Sequence, residues 1–321
     1  MSELSAISLL QGKRLEDTRA FLARHGLSMG EDMDYTAQLF EGGVIFATGS
    51  LCGNVLKYVA VEESAQGEGA CARIVSELAS EAYRRGRTHL FLYTKPDSAP
   101  FFRSLGFYDV IAAGGIAMLE NHKAGLDAYL ASLQRGTGRQ GAVVMNCAPF
   151  TLGHRYLVEE AAQRVDSLHL FVVSEEWGPF SPEKRLAMVK VGTADIPHIL
   201  LHECGSYLVS AATFPTYFIK DKCRAEAAQA ELDIALFGQK IAPALSISIR
   251  FVGTEPYCPV TARYNRRLAE ELPRYGLELV EMPRKDGISA SEVRRAMAAN
   301  DWERVRQLVP QSTYEALRSN A

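Results

Sequence analysis

The sequence predicts an α/β protein of two domains, a mixed α/β half followed by a doubly wound parallel sheet. Three observations carry this expectation. The chain has 321 residues, long for one hydrophobic core and comfortable for two. Its second half alternates short apolar strands with amphipathic helices, the order that builds a parallel sheet covered on both faces. Its first half opens instead on strands joined by tight glycine turns, which reads as hairpins.

In the first half, strands are read at Thr36–Phe40, Val44–Leu51 and Val55–Val61, separated by Gly42-Gly43 and Gly53-Asn54. Leu56–Val61 alternates apolar and other residues, as a half-buried strand does. A helix from about Gly69 to Arg85 carries Ile74, Val75, Leu78, Ala79 and Ala82 on one face. It stops at Arg84-Arg85-Gly86, with basic residues in the last turn and glycine after it. Thr88–Thr94 is a further strand, followed by a helix and a strand ending near Val110. The polar, glycine-rich run from Gln134 to Gly141 reads as the linker, giving domains of 1–135 and 136–321.

In the second half, strands are read at Ala142–Met145, Leu168–Val173, Ile199–His202, Ser246–Val252 and Leu277–Glu281. Helices are read at Arg155–Val165 and Pro182–Val191, the latter with proline at its start. Leu168–Val173 is apolar throughout, as a strand buried on both faces should be.

Bulk properties exclude several classes. A hydrophobic fraction of 47%, a charged fraction of 23% and a net charge of −3 describe an ordinary globular chain without a polyanion-binding surface. No nucleic-acid partner is expected. No apolar run is long enough to cross a bilayer, and the first residues do not read as a signal peptide. The six cysteines (52, 71, 147, 204, 223 and 258) form no CxxC pair. That points to reduced thiols in the cytoplasm and to no cysteine metal site. His169 and His202 lie in apolar strands and read as satisfied core histidines.

The chemistry concentrates in the loop from Met145 to His154. It follows a strand, where ligands of parallel sheets bind, and it opens a helix whose free N–H groups suit phosphate. Thr151 and His154 are three residues apart, so both side chains can face one ligand from the first turn. Gly153 leaves room for a flat base. A second element is Ile288-Ser289-Ala290-Ser291-Glu292-Val293-Arg294. Ser289 and Glu292 have capping-box spacing, and Arg294 can grip phosphate oxygens as a fork.

Together these segments resemble the nucleotidyltransferase superfamily with T/H-x-G-H and I-S-x-[ST]-x-x-R motifs, whose fold is Rossmann-like. Val144–Ala161, Ala212–Lys220 and Val252–Asn265 are similar, more closely, to the [citrate (pro-3S)-lyase] ligases. Gln66–Cys71 and Phe101–Tyr108 resemble two signatures of the GNAT acyltransferases, with Cys71 where that pattern ends in Gly or Ala. The first domain then either retains acyl-cofactor binding or is a scaffold that docks a partner.

The ligase resemblance implies acetate, ATP and Mg²⁺ as reactants and the acyl carrier subunit of citrate lyase as partner. It implies attack of acetate on the α-phosphorus, with acetyl-adenylate and pyrophosphate as products. The carrier's thiol then displaces AMP. His154 and Thr151 are assigned to the α- and β-phosphate oxygens, and Ser289, Ser291 and Arg294 to the leaving pyrophosphate. Met145, Asn146, Phe150 and Gly153 line the nucleotide, with Asn146 and Gly153 at the adenosine. Arg185 reaches the phosphates unless it is a solvated charge. Lys220 and Lys222 meet the carrier unless they are plain surface, and Tyr217 and Phe218 line the acetate or arm pocket unless they are core. No metal ligand and no covalent nucleophile is assigned. The rival readings are an adenylyltransferase acting on a phosphate-bearing small molecule and a nucleotide-sensing regulator without turnover.

Overall fold

The structure is a computed structural model. It describes residues 3–7, 10–65, 67, 69–174, 179–208, 222–256, 258–285 and 287–319. The chain separates into two units, residues 1–128 with 215–232, and residues 129–214 with 233–321.

The first unit is built on β1 (Glu3–Ile7), α1 (Gly12–Arg24), β2 (Tyr35–Glu41), β3 (Val44–Cys52), β4 (Val55–Val61), α2 (Ala70–Arg84), β5 (Phe91–Thr94), α3 (Ala99–Ser104), β6 (Tyr108–Ala113) and β7 (Ile116–Glu120). The sheet order is β1-β2-β3-β4-β5-β7-β6. Only β4 and β5 run parallel; the other pairs are antiparallel. Ile74, Leu78 and Ala82 of α2 bury against Ala37, Leu39, Ala47 and Leu51. Gly49 permits this approach, since a Cβ there would come within 2.6 Å of Ile74. The mixed α/β expectation is met. The sequence reading did not anticipate β1, α1 or β7. The first is a short edge strand, and β7 follows a two-glycine turn at Gly114-Gly115, where both φ angles are positive. In the segment that resembles the acyltransferase signature, Gly67 and Gly69 have positive φ and Gly69 caps α2. Gln66 and Glu68 lie outside the described residues. Burial pushes the Cys71 thiol up to about 11, so little of it is thiolate at neutral pH.

In the second unit, α4 (Gly125–Ser132), which straddles the division, leads into β8 (Gln140–Met145), α5 (Leu152–Ala162), β9 (Ser167–Val172), α6 (Pro182–Gly192) and β10 (Ile199–Glu203). Next, α7 (Lys222–Leu236), whose residues up to Leu232 belong to the first unit, runs through a π-helical turn at Phe237–Ile241 into α8 (Ala242–Ala244). The remainder is β11 (Ile247–Gly253), α9 (Pro259–Glu271), β12 (Glu278–Met282), α10 (Ala290–Ala298), α11 (Trp302–Leu308) and α12 (Gln311–Arg318). The sheet order is β10-β9-β8-β11-β12, with every pair parallel. The chain therefore winds outward from β8 to β10, then returns to β11 on the other side of β8. The space beyond the ends of β8 and β11 is the topological switch point, where such sheets bind ligands.

One face of this sheet is apolar: Val143, Leu168, Leu170, Ile249 and Phe251 join Val158 and Ala161 of α5 and Val293 of α10 in one core. The alternate residues Gln140, His169, His202 and Arg250 are buried and polar. His169 and His202 are satisfied core histidines, as the sequence suggested. Gln140 Oε1 accepts from His169 Nε2 at 2.8 Å, so His169 Nδ1 must accept from His202 Nε2 at 2.9 Å. The glycine-rich stretch expected to be a loose linker is fastened to this unit. Thr137 N donates to Ser167 Oγ at 3.0 Å, Arg139 N to the Asp166 carboxylate at 2.6 Å, and Arg135 to Ala244 O at 2.9 Å.

Candidate active site beyond the end of β8

The loop after β8 and the start of α5 are ordered by an unusual helix cap. Thr151 is the N-cap, and its Oγ1 accepts from His154 N at 3.2 Å. His154 fills the place that Glu or Gln holds in the common capping box: its Nδ1 accepts from Thr151 N at 3.1 Å. An Nδ1 that accepts a backbone proton leaves the ring's own proton on Nε2. Burial, and after it the positive charge of Arg284, push the His154 pKa down to about 4. At neutral pH the imidazole is thus an uncharged donor through Nε2, beside the positive end of α5.

Thr151 was expected on a phosphate. It is buried, with its hydroxyl 3.0 Å from His154 Nδ1, and so acts by holding the imidazole. Gly153 was expected to face a base. A Cβ there would sit 3.1 Å from Ile288 O, tighter than ordinary contact, so its lack of a side chain lets the two motifs meet.

The second motif begins at Ser289, whose Oγ accepts from Glu292 N at 3.1 Å and caps α10. Only half of the expected capping box forms. The Glu292 carboxylate turns away to Arg304, at 2.5 Å, because that partner offers a charge-assisted bond. Arg294 donates to Ala148 O at 2.5 Å and to Ser291 Oγ at 3.0 Å. It therefore ties α10 to the loop after β8.

Three other residues expected at the nucleotide are buried. Phe150 is a core side chain; it lies so close to Gly192 that a Cβ on that glycine would be 2.6 Å from its ring. Met145 faces the apolar core from β8. Arg185 is neither solvated nor displayed toward the loop's outer side. It is fully buried and donates to Asn146 O at 2.7 Å and to the Asn146 side chain. It fixes Asn146, which itself is half-buried and at the end of β8. Tyr217, Phe218 and Lys220 lie outside the described residues, as does the Lys222 side chain.

The structure also brings up residues that carried no assignment. Asn265 of α9 donates to Gly253 O at 2.9 Å, at the end of β11. Arg284 pairs with Glu255 at 2.6 Å just beyond β11 and β12, within electrostatic reach of His154. Asn265 and Glu255 fall in the Val252–Asn265 stretch, so a signal for them existed. Arg284 falls in no motif.

A parallel sheet of this order, with a histidine-capped helix and an Ile-Ser-x-Ser-x-x-Arg segment meeting beyond its switch point, fits a nucleotidyltransferase-like domain. Residues 140–317 match the citrate lyase ligase C-terminal domain family. The chain is 41% identical to the [citrate [pro-3S]-lyase] ligase of Klebsiella pneumoniae, over 98% of this chain and 96% of that one. It is 39% identical to the ligase of the same name from Haemophilus influenzae, over 95% and 96% of the two chains. The chain belongs to the citrate lyase ligase family. Among solved structures, an acyl-CoA N-acyltransferase from Pseudomonas aeruginosa is similar at 14% identity and a TM-score of 0.34, over 38% of this chain and all of that one. No helix among the described residues is long and apolar enough to cross a membrane.

Proposed function

We propose that this ligase activates acetate with ATP and transfers the acetyl group to the thiol of the prosthetic arm on the acyl carrier subunit of citrate lyase. Acetate by itself is a poor acyl donor, since its leaving group would be oxide. Attack by its carboxylate on the α-phosphorus forms a C–O–P linkage and expels pyrophosphate. The carrier's thiol then attacks the acetyl carbonyl, and AMP leaves with the electrons of the broken C–O bond.

The observation that supports this reading is the meeting of the two motifs beyond β8, in a chain of this family. His154, uncharged at neutral pH in the free chain, donates its Nε2–H to an α-phosphate oxygen. Arg294, Ser289 and Ser291 receive the pyrophosphate, while Asn146, held by Arg185, borders the adenosine. Their task is to position the reactants and to neutralise charge that grows in the transition state. Among the described residues, no group of three or more His, Cys, Asp or Glu stands together as a metal site. The donor set here is cationic and neutral, so Mg²⁺ in this reading enters on phosphate oxygens and water. The rival adenylyltransferase reading has support in a 38% identity to a phosphopantetheine adenylyltransferase of Staphylococcus carnosus, confined to 63 residues, which is 19% of this chain.

The test is to supply labelled acetate, ATP and deacetylated citrate lyase. Label in the carrier subunit with one AMP released per acetyl group is the expected outcome. Formation of a dinucleotide-type product from 4′-phosphopantetheine, with no label in the carrier, would establish the rival.

A further inference from the structure

We infer that Arg284 is a phosphate-binding residue of this site, a second guanidinium that grips the triphosphate from the β11–β12 side. The inference rests on the ATP reading above and extends it to a residue outside both motifs.

Its placement comes first. Arg284 lies two residues beyond Met282, the last residue of β12, so it stands at the ligand-binding end of the sheet. The segment that follows runs along the start of α5. Lys285 Nζ lies 5.5 Å over the Tyr156 ring in that helix, and Ile288 O would be 3.1 Å from a Cβ on Gly153. The Arg284 charge is felt at His154, the donor of the first motif.

Besides its ion pair with Glu255, other bonds hold these loops. Thr254 N already donates to Met282 O at 2.8 Å, and Arg284 N to Thr254 Oγ1 at 3.1 Å. Asn265 fixes Gly253 from the other side. These bonds staple the ends of β11 and β12 through backbone groups, whatever side chain follows. Glu255 then orients the guanidinium, with Oε2 on Arg284 at 2.6 Å and Oε1 accepting Cys258 N at 3.1 Å.

The electrostatic pattern supplies the reason. Arg284 and the positive end of α5 act on one uncharged imidazole, while Arg294 holds the loop that precedes that helix. Glu255 balances the Arg284 charge alone, and a polyphosphate is the anion that would balance the remaining positive features. A polyphosphate supplies several oxygens at once, and a fork-shaped guanidinium suits them. Arg294 comes from α10 and Arg284 from the end of β12, so two guanidiniums from different elements are available to two phosphoryl groups.

The test measures binding directly, with the full chain and three probes: ATP, pyrophosphate and adenosine. Arg284→Ala should weaken ATP and pyrophosphate about ten- to hundredfold, the loss of one charge-assisted contact. Adenosine should bind as before, and the unliganded melting temperature should hold within a few degrees. Arg284→Lys, which keeps the charge and loses the fork, should recover part of the affinity. It also guards against an alanine variant that fails to fold. In Arg284→Ala the His154 ring should titrate at a higher pH by NMR, because a neighbouring cation has gone. Unchanged ATP and pyrophosphate affinity, or an equal loss for adenosine, would overturn the inference. Failure of the acetate reading looks different: the wild type would bind ATP, and Arg284→Ala would bind it poorly, yet acetate would promote no turnover.

Discussion

His154 illustrates how much one residue's protonation can decide. A histidine with an ordinary pKa near 6.5 would change charge across the pH range in which enzymes work. Here the pKa lies at about 4, so its protonation is confined to acid. The rate of adenylate formation is expected to show no limb between pH 6 and 7 arising from this ring, and to fall only as pH approaches 4. A plot of kcat/KM for ATP against pH checks this; a limb near 6.5 that vanishes in His154→Gln would contradict it. Arg294→Ala is expected to slow adenylate formation about a hundredfold or more. Its bonds to Ala148 O and Ser291 should account for about 1–2 kcal/mol of lost stability. Phe150→Ala should do the reverse. As a fully buried ring, its loss should cost about 3–5 kcal/mol in denaturant unfolding. Spacing alone picked out Thr151, Gly153, His154 and Arg294, whose contacts tie the start of α5 to the loop after β8 and to α10. What spacing did not show was direction: Thr151 turns to the imidazole, Arg185 to Asn146, and Phe150 and Met145 to the core. Burial decides direction, and it is a property of packing that one sequence window does not contain.

At the scale of elements, the five parallel strands were legible because each is a short apolar run set off by helices. Their bounds moved by only a residue or two. β1, α1 and β7 were not; β1 is a short edge strand whose partner β2 lies about thirty residues on. The Glu292 half of its capping box was lost to Arg304, which sits twelve residues on and outside any local motif. The stretch at Arg135–Arg139 read as a linker by composition, yet partners at Asp166, Ser167 and Ala244 hold it. The paired strands β9 and β10 add a prediction about acid. His169 and His202 each have a pKa pushed down to about 4, first by burial. Between pH 6.5 and 4 the unfolded chain binds protons that the folded chain refuses. Stability is therefore full above about pH 6.5 and falls as pH drops toward 4. The bond chain from His202 through His169 to Gln140 explains the refusal, since a proton on His169 Nδ1 would face the N–H of His202. Each ring accounts for a loss on the order of 3 kcal/mol once pH is below 4. Urea unfolding followed from pH 8 to 4 should show this slope, and His202→Gln should flatten it.

Over the whole molecule, two kinds of sheet serve two different ends. The second unit's parallel order leaves an open crevice beyond β8 and β11, and both sequence motifs lie against it. That half announced its activity because phosphate binding draws on a few residues at fixed spacing. The first unit's fold was legible in outline, but its contribution was not. Two residues of its glycine-rich signature fall outside the described structure, and Cys71 is a half-buried thiol with little thiolate at neutral pH. We propose that this unit docks the carrier, and an intact second-unit site should then form acetyl-adenylate without any carrier present. The most direct measurement is exchange of labelled pyrophosphate into ATP by the full chain, with and without acetate. Exchange that requires acetate, needs no citrate lyase and drops about a hundredfold in Arg294→Ala is the expected result. Exchange independent of acetate, or none at all in a chain that binds ATP, would contradict the account.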